Sequence, residues 1–321
     1  MNDSRKFFPN LKNDVADYSP ATFFISLYSI SSADFERVRH AFDPAFGKIF
    51  SIVWHEIQHH LDHFSTLWGQ RNLLKYFNAT NAILSGDVNQ FNNIVPYKRE
   101  EKQLHFNTYY SINHNYVYWK SGDLPWRWQL STGIKFDEKG FPEPNSPIIF
   151  INFSTYDNKP LSRVPLSIAS LLETNSTWQE LFMKLKCTFL IEDENHKTVE
   201  LNLFDQSLHE DLIYNQNLCL YTAAVHLTAN LLGINDTLMA YQISSKIATL
   251  ALNLPKIAIK KMLISENELW GDRSSKMAEN NEYGFLFYNL LFNYLPIFKE
   301  KKNFYIKKLL KTKNLPCQNE I

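Results

Sequence analysis

The sequence has few cysteines, and they are poorly placed for disulfides. Only three of the 321 residues are cysteine, namely Cys187, Cys219 and Cys317. Their number is odd, and no two form a Cys-x-x-Cys pair, which argues against a disulfide-stabilised domain and against a zinc site built from thiolates. A reducing compartment fits this pattern, so we expect a cytoplasmic protein.

The chain also lacks an excess of charge of either sign. Its 33 Lys and Arg residues balance 33 Asp and Glu residues, and the pI is near 7.1. We therefore expect no nucleic-acid partner. The one local excess is residues 299–313, with seven lysines and one glutamate. This segment is typical of a solvated terminal helix, and binding to an anionic membrane or acidic partner is the alternative.

No apolar run is long enough to span a membrane, and the first residues lack the apolar core of a signal peptide. Residues 21–30 form the most apolar early segment, which we interpret as a buried strand. The hydrophobic content of 45% is sufficient for a large core. We expect one domain over residues 1–321, with two lobes of about 1–160 and 161–321 around a cleft as a possible division.

What the sequence does contain is the pattern His-Glu-x-x-His, at residues 55–59. On a helix of 3.6 residues per turn, His55 and His59 lie one turn apart on the same face and can bind one metal ion. Glu56 lies about 100° round the helix. It can reach a water molecule on that ion without binding the ion itself.

The flanking sequence supports a helix around this motif. Asp43-Pro44 is typical of a helix start, and Gly69 is a plausible end. Between them, apolar residues recur at helical spacing on the side opposite the histidines, and we expect this stripe to pack into the core. The stripe consists of Phe46, Ile49, Phe50, Val53, Ile57, Leu61 and Phe64.

A catalytic zinc site usually has three protein ligands, so a third must come from elsewhere. His63 lies too far along the helix axis, and His60 points to the apolar side. We favour Glu173, on a helix predicted over residues 165–187, where small residues around it would allow close approach to the metal helix. If that helix instead breaks near Asn175, the competing third ligands are Glu180, Glu210 and His209.

Other residues are candidates for supporting roles. Asp62 follows His59 by one turn and is expected to orient it, and Glu180 is a second possible supporting carboxylate. A hydrogen-bond donor should stabilise the oxyanion of the reaction. The candidate donors are Tyr221, His226, Tyr110 and His114.

The remaining pattern predicts an α+β fold. We expect a small sheet beside the metal helix, with strands over 103–119 and 148–153, and a loop over 142–147. Residues 188–204 suggest a β-hairpin, and a capping box at 207–210 predicts a long helix that ends at Gly233. Further helices are predicted over 237–252, 254–264 and 283–298, so the C-terminal half is mainly helical.

His55-Glu56-x-x-His59, followed by Glu173-x-x-Ser176-x-x-x-Glu180, resembles the gluzincin-type zinc metallopeptidases. The resemblance implies a zincin-like fold, a Zn²⁺ cofactor, His55, His59 and Glu173 as ligands, and Glu56 as general base. It covers only these two segments. The two motifs are far apart for this group, and Ser176 replaces the usual alanine.

These observations lead us to expect a zinc-dependent peptidase that hydrolyses an intracellular protein or peptide. One alternative is zinc-dependent hydrolysis of a non-peptide amide or ester. Another is a non-enzymatic interaction module with a degenerate motif, in which His55 and His59 meet no acidic residue.

Overall fold

The computed structural model describes residues 15–40, 47–104, 109–113, 119–137, 139–261, 270 and 272–312. Within these ranges the protein has a mixed α+β fold. The helices are α1 (Ser32–His40), α2 (Gly47–Ser65), α3 (Leu67–Ser85), α4 (Ile94–Leu104), α5 (Ile168–Phe189), α6 (Glu194–Ser207), α7 (Cys219–Leu232), α8 (Thr237–Leu252), α9 (Lys256–Lys261), α10 (Arg273–Glu279) and α11 (Tyr283–Thr312).

The described strands form two antiparallel sheets. The first is a hairpin of β1 (Ala16–Tyr18) and β2 (Ile25–Leu27), which lies against α2. The second has the strand order β3-β6-β5-β4. Its strands are β3 (Ser111–Ile112), β4 (Arg127–Phe136), β5 (Pro142–Ser154) and β6 (Pro160–Pro165).

Helix α5 is the central element of the molecule. It contacts α2, α7, α8 and α11, and most of its residues are buried. Its start is capped by Ser167 and Ser170, since the Ser167 amide donates a hydrogen bond to Ser170 Oγ over 3.0 Å. The helix continues without a break through Asn175. The structure thus excludes the predicted alternative in which this helix ends near that residue.

The main core joins the second sheet to the C-terminal helices. Apolar side chains of β5 belong to the same buried cluster as those of α5, α7 and α11, and their burial provides the principal stabilisation. Gly284 allows the start of α11 to approach β6 closely, because a Cβ there would lie 1.7 Å from the Leu166 carbonyl oxygen. The most deeply buried core side chains include Ile149, Ile151, Leu171, Leu227 and Phe287.

Helix α2, which carries the His-Glu-x-x-His motif, packs differently from the prediction. The face of α2 that carries His55, His59 and Asp62 lies against α5, whereas two residues of the apolar stripe, Leu61 and Phe64, are about two-fifths exposed. At its C-terminal end the apolar stripe therefore faces solvent and not the core, contrary to the prediction. Glu173, Glu180 and Asn175 of α5 provide polar partners for this face of α2, which explains why its polar side chains turn inward.

The predicted end of the metal helix at Gly69 is wrong. Helix α2 ends at Ser65, and Thr66 caps the next helix by accepting a hydrogen bond from the Gly69 amide (2.9 Å). Gly69 lies inside α3, where a Cβ would come 2.2 Å from the His63 carbonyl oxygen. This glycine therefore permits a close contact between consecutive helices and does not terminate α2.

Several other element predictions need correction. The strand predicted over 21–30 is only Ile25–Leu27, and the region 188–204 contains α6 instead of a hairpin. Asp193 caps α6 by accepting a hydrogen bond from the His196 amide. The predicted capping box at 207–210 lies instead where α6 passes into a π-helical turn, Leu208–Ile213, although α7 does end at Gly233.

The loop predicted over 142–147 is wrong, because these residues lie within strand β5. This part of β5 pairs with β4 but not with β6, and a strand paired on one side tolerates proline. The helices predicted over 237–252 and from 283 are confirmed, although α11 continues to Thr312. The proposed helix start at Asp43-Pro44 lies outside the described residues. The division into two lobes stays a prediction.

Among the described helices, none is by itself long and apolar enough to cross a membrane, although the bent pair Gln216–Leu232 and Thr237–Leu252 meets the length and composition criteria together.

Candidate metal centre

The two motif histidines meet the carboxylate of Glu173 where α2 crosses α5. Oε2 of Glu173 lies 3.4 Å from Nε2 of His55 and 3.5 Å from Nε2 of His59. With ligand bonds of about 2.1 Å, two ligand atoms of a tetrahedral zinc ion are about 3.4 Å apart. The separations in the structure therefore match those of atoms that share one metal ion.

Within the described part of the chain, these three residues are the one group of His, Cys, Asp and Glu side chains spaced to hold a metal ion. Their candidate ligand atoms all lie within 4.8 Å of one another. Oε2 of Glu173 is buried, yet it accepts no hydrogen bond of good geometry from the described residues. A buried carboxylate oxygen without a donor is costly, and a cation between the three atoms would compensate it.

A second carboxylate holds the first histidine from the other side. Oε2 of Glu180 lies 3.2 Å from Nδ1 of His55, and its other oxygen lies 3.0 Å from Nζ of Lys184. A histidine that binds a metal through one ring nitrogen usually donates the other N–H to such a carboxylate, which fixes the tautomer and the ring orientation. Glu180 is therefore positioned to support His55 in this way if His55 binds a metal ion through Nε2.

The charges in the cluster favour a cation. Burial alone would lower the pKa of His55, but the adjacent carboxylates of Glu173 and Glu180 outweigh it and raise this pKa to about 10. Burial opposes ionisation of both carboxylates, yet His59 and His55 lower the pKa of Glu173 to about 2, and His55 with Lys184 lowers that of Glu180 to about 2. The negative charge that raises the pKa of His55 would equally favour a metal cation between these side chains.

Glu56 lies beside the cluster on the same helix. It is buried, with 7% of its surface exposed. Burial raises its pKa against the opposing effect of His59 and His55, and the negative charges of Glu173 and Asp17 raise the pKa further. A carboxylate with a raised pKa is a better proton acceptor at neutral pH, which suits the role of a general base. Asp17 contributes from strand β1.

Two tyrosines face the same charges. The ring of Tyr221 lies 6.3 Å from the ring of His55. Burial, followed by the charge of Glu173, raises the pKa of both Tyr221 and Tyr110 well above 10. Both phenols are therefore protonated at neutral pH and can act as hydrogen-bond donors next to the candidate metal position.

His226, a candidate donor in the sequence, lies in a different environment. Its Nε2 is 3.1 Å from the Ile213 carbonyl oxygen, and its ring packs against Phe153. Burial lowers its pKa to about 4. The ring is thus neutral and tied to the π-helical turn, so Tyr221 and Tyr110 are better placed than His226 to stabilise an oxyanion. His114 lies outside the described residues.

Asp62 has partners other than the one expected. Its carboxylate accepts hydrogen bonds from Gln58 and from Asn175 on α5, and not from the His59 ring. Nδ1 of His63 lies 2.9 Å from the His59 carbonyl oxygen, so His63 is packed within the helix and is not a ligand.

The three residues proposed as alternative third ligands, Glu180, Glu210 and His209, have other partners in the structure. Glu180 occupies the outer position on His55. Glu210 accepts a hydrogen bond from the Ser121 amide, and His209 lies beside Trp119. Glu210 and His209 thus line a separate surface groove.

Sequence reasoning missed three residues around the centre, namely Lys184, Asn175 and Asp17. Lys184 had a readable signal, because it follows Glu180 by four residues on a helix. Asn175 and Asp17 had none, because each acts on an element distant in the sequence.

Comparison of the chain with protein-family models, curated proteins and solved structures gave no match. The resemblance to gluzincin-type metallopeptidases therefore depends on the residues of the two motif segments alone.

Proposed function

We propose that the protein is a zinc-dependent hydrolase with a zincin-like centre and that its substrate is a protein or peptide. One observation carries the proposal: the carboxylate of Glu173 converges on both imidazoles of the His-Glu-x-x-His helix, with Glu56 beside them. An accidental motif would have no reason to meet a carboxylate with a buried oxygen that lacks a hydrogen-bond donor, on a helix more than a hundred residues away.

The three converging side chains fit a zinc ion in number, type and spacing, and a catalytic zinc ion held by three protein ligands would keep its fourth position for solvent or substrate. Zinc would polarise the scissile carbonyl and lower the pKa of a water molecule at the open position.

The chain's own residues supply the remaining steps. Glu56 accepts the proton of the attacking water and returns it to the leaving amine. Glu180 keeps the His55 ring oriented with Nε2 towards Glu173. Tyr221 or Tyr110 donates a hydrogen bond to the oxyanion that forms as the carbonyl is attacked.

The proposal is tested with purified full-length protein and its Glu56→Gln variant. We expect about one zinc per chain by elemental analysis in both proteins, and a thermal stabilisation on adding zinc to chelator-treated samples. Incubation with a proteome-derived peptide mixture, followed by mass spectrometry, should give cleavage products with the wild type and none with Glu56→Gln. The variant replaces one carboxylate oxygen of Glu56 by an amide nitrogen and keeps all three candidate ligands. It therefore controls for contaminating proteases.

Failure of the wild type to bind zinc would overturn the metal site. Zinc binding with equal cleavage by both proteins would overturn the role of Glu56. Zinc binding without cleavage of any peptide, but with hydrolysis of small amide or ester substrates, would replace the peptidase by the alternative hydrolase.

A further inference from the structure

A buried aspartate lies between the two ligand-bearing helices. Asp62 is 1% exposed, and Nε2 of Gln58, on its own helix, donates a hydrogen bond to it over 2.8 Å. Nδ2 of Asn175 on α5 donates to the same carboxylate, at 3.1 Å from one oxygen and 3.3 Å from the other. Burial raises the pKa of Asp62 to about 6. A carboxylate at such a position is costly, whereas an apolar residue would pack two helices at lower cost.

Asn175 continues the connection to a third helix. It is also 1% exposed, and its Oδ1 accepts a hydrogen bond of 3.0 Å from Ser245 Oγ on α8. The amide therefore uses its donor towards Asp62 and its acceptor towards Ser245. The three residues form a chain of directional bonds across α2, α5 and α8, inside an otherwise tightly packed region.

The Asp62–Asn175–Ser245 hydrogen bonds lie close in sequence to the candidate metal ligands, and this position indicates what they do. Asp62 follows His59 by three residues, and Asn175 follows Glu173 by two. Apolar packing is non-directional and tolerates small shifts of one helix along another. Hydrogen bonds require particular distances and angles, so they do not tolerate such shifts. A displacement of α5 by 1 Å would break the Asp62–Asn175 bond and would also change the distance from Glu173 to both imidazoles.

We propose that Asp62, Asn175 and Ser245 are positioning residues that hold α2 and α5 at the register in which Glu173 meets His55 and His59. The inference rests on the proposed metal site. It assigns to Asp62 a role different from orienting the His59 ring, because the carboxylate acts through the opposite helix.

The test uses the full-length protein with Zn²⁺ and with Co²⁺, whose visible absorption reports ligand geometry. Asn175→Leu keeps the side-chain size but removes both bonds. We expect it to weaken metal binding about tenfold, at the lower end of the range for residues that orient ligands, and to alter the Co²⁺ spectrum. The exchanged pair Asp62→Asn with Asn175→Asp retains a donor and an acceptor for every bond. It should bind within about threefold of wild type.

The matched control is Glu282→Gln. It perturbs another buried polar contact, the Lys135–Glu282 ion pair between β4 and the residue that precedes α11. We expect Glu282→Gln to lower stability but to leave the metal affinity and the Co²⁺ spectrum unchanged. If Asn175→Leu does not fold, Ser245→Ala tests the positioning role instead. It removes only the hydrogen bond from Ser245 to Asn175, at one end of the hydrogen-bonded series. We expect it to weaken binding about twofold to threefold and to change the Co²⁺ spectrum.

The outcomes separate the two proposals. A wild type that binds neither ion defeats the metal site itself. Metal binding by the wild type, together with unchanged affinity and spectra in folded Asn175→Leu or in Ser245→Ala, defeats the positioning role alone. So does an exchanged pair that folds but binds as weakly as Asn175→Leu.

Discussion

The three glutamates of the centre should respond differently to the same Glu→Gln substitution. Each change removes a charge and nearly preserves shape, so differences report position. Glu173 would lose its role as a ligand. Zinc sites with four ligands bind with about 10–16 kcal/mol, or about 3 kcal/mol per ligand. Glu173→Gln should therefore weaken zinc binding by at least about a hundredfold, since 1.4 kcal/mol corresponds to a factor of ten.

The other two positions provide internal comparisons. Among the candidate ligands Glu180 contacts His55 alone, at Nδ1, so Glu180→Gln should weaken binding about tenfold. Glu56 binds no metal in the proposed arrangement, so Glu56→Gln should change the affinity by less than about threefold, through the loss of a nearby charge. The expected order of affinity loss is Glu173, then Glu180, then Glu56.

The assay is competition for zinc against a chromophoric chelator at fixed pH and ionic strength, with circular dichroism to confirm folding of each variant. The reasoning would be refuted if Glu56→Gln lost the most affinity, because the ligand and base assignments would then be reversed. Equal losses at all three positions would show that only the net charge of the cluster matters.

Three further predictions concern protons and packing. Because the pKa of His55 is about 10 in the metal-free cluster, zinc binding at pH 7 should release about one proton, seen as a buffer-dependent calorimetric enthalpy; an enthalpy independent of buffer would contradict this. The pKa of His226 is lowered to about 4, so its contribution to stability is present above pH 6.5 and is lost as pH falls towards 4. Between pH 7.5 and 4.5, denaturant unfolding of the wild type should therefore lose about 2–3 kcal/mol more than that of His226→Leu, and parallel losses would count against it. Gly284→Ala should destabilise the protein by about 1–3 kcal/mol or more, because the new methyl group meets the Leu166 carbonyl; an unchanged denaturation midpoint would show that α11 can move away freely.

The helix that carries His55 and His59, and the carboxylate that it meets, could be predicted from the sequence for a simple physical reason. Residues four apart on a helix share a face, so His55 and His59 are readable as a pair without tertiary information. Glu173 was accessible because small neighbours predict a close helix crossing. Glu180 follows from Glu173 by two helical turns.

Other parts of the fold depend on neighbours that the sequence does not reveal. The polar region 70–100 contains α3 and α4, which are held together partly by Trp68 and Lys75 hydrogen-bonding to the buried Glu100. Region 188–204 was predicted as a hairpin because its weak alternation outweighed the Asp193 cap. The partner of Asp62 could not be predicted, since the sequence places Asp62 near His59 but does not say which helix lies opposite.

Helix α5 carries one candidate ligand of the centre and also forms the middle of the hydrophobic core. The centre is consequently not an appendage that can open or melt while the rest of the molecule stays intact. Occupancy by an ion and cooperative unfolding are thermodynamically linked, so a saturating ion would raise the melting temperature of the whole molecule and not only of a local segment. Chelation should correspondingly increase amide hydrogen exchange as far away as α7 and α8, which pack directly on this helix.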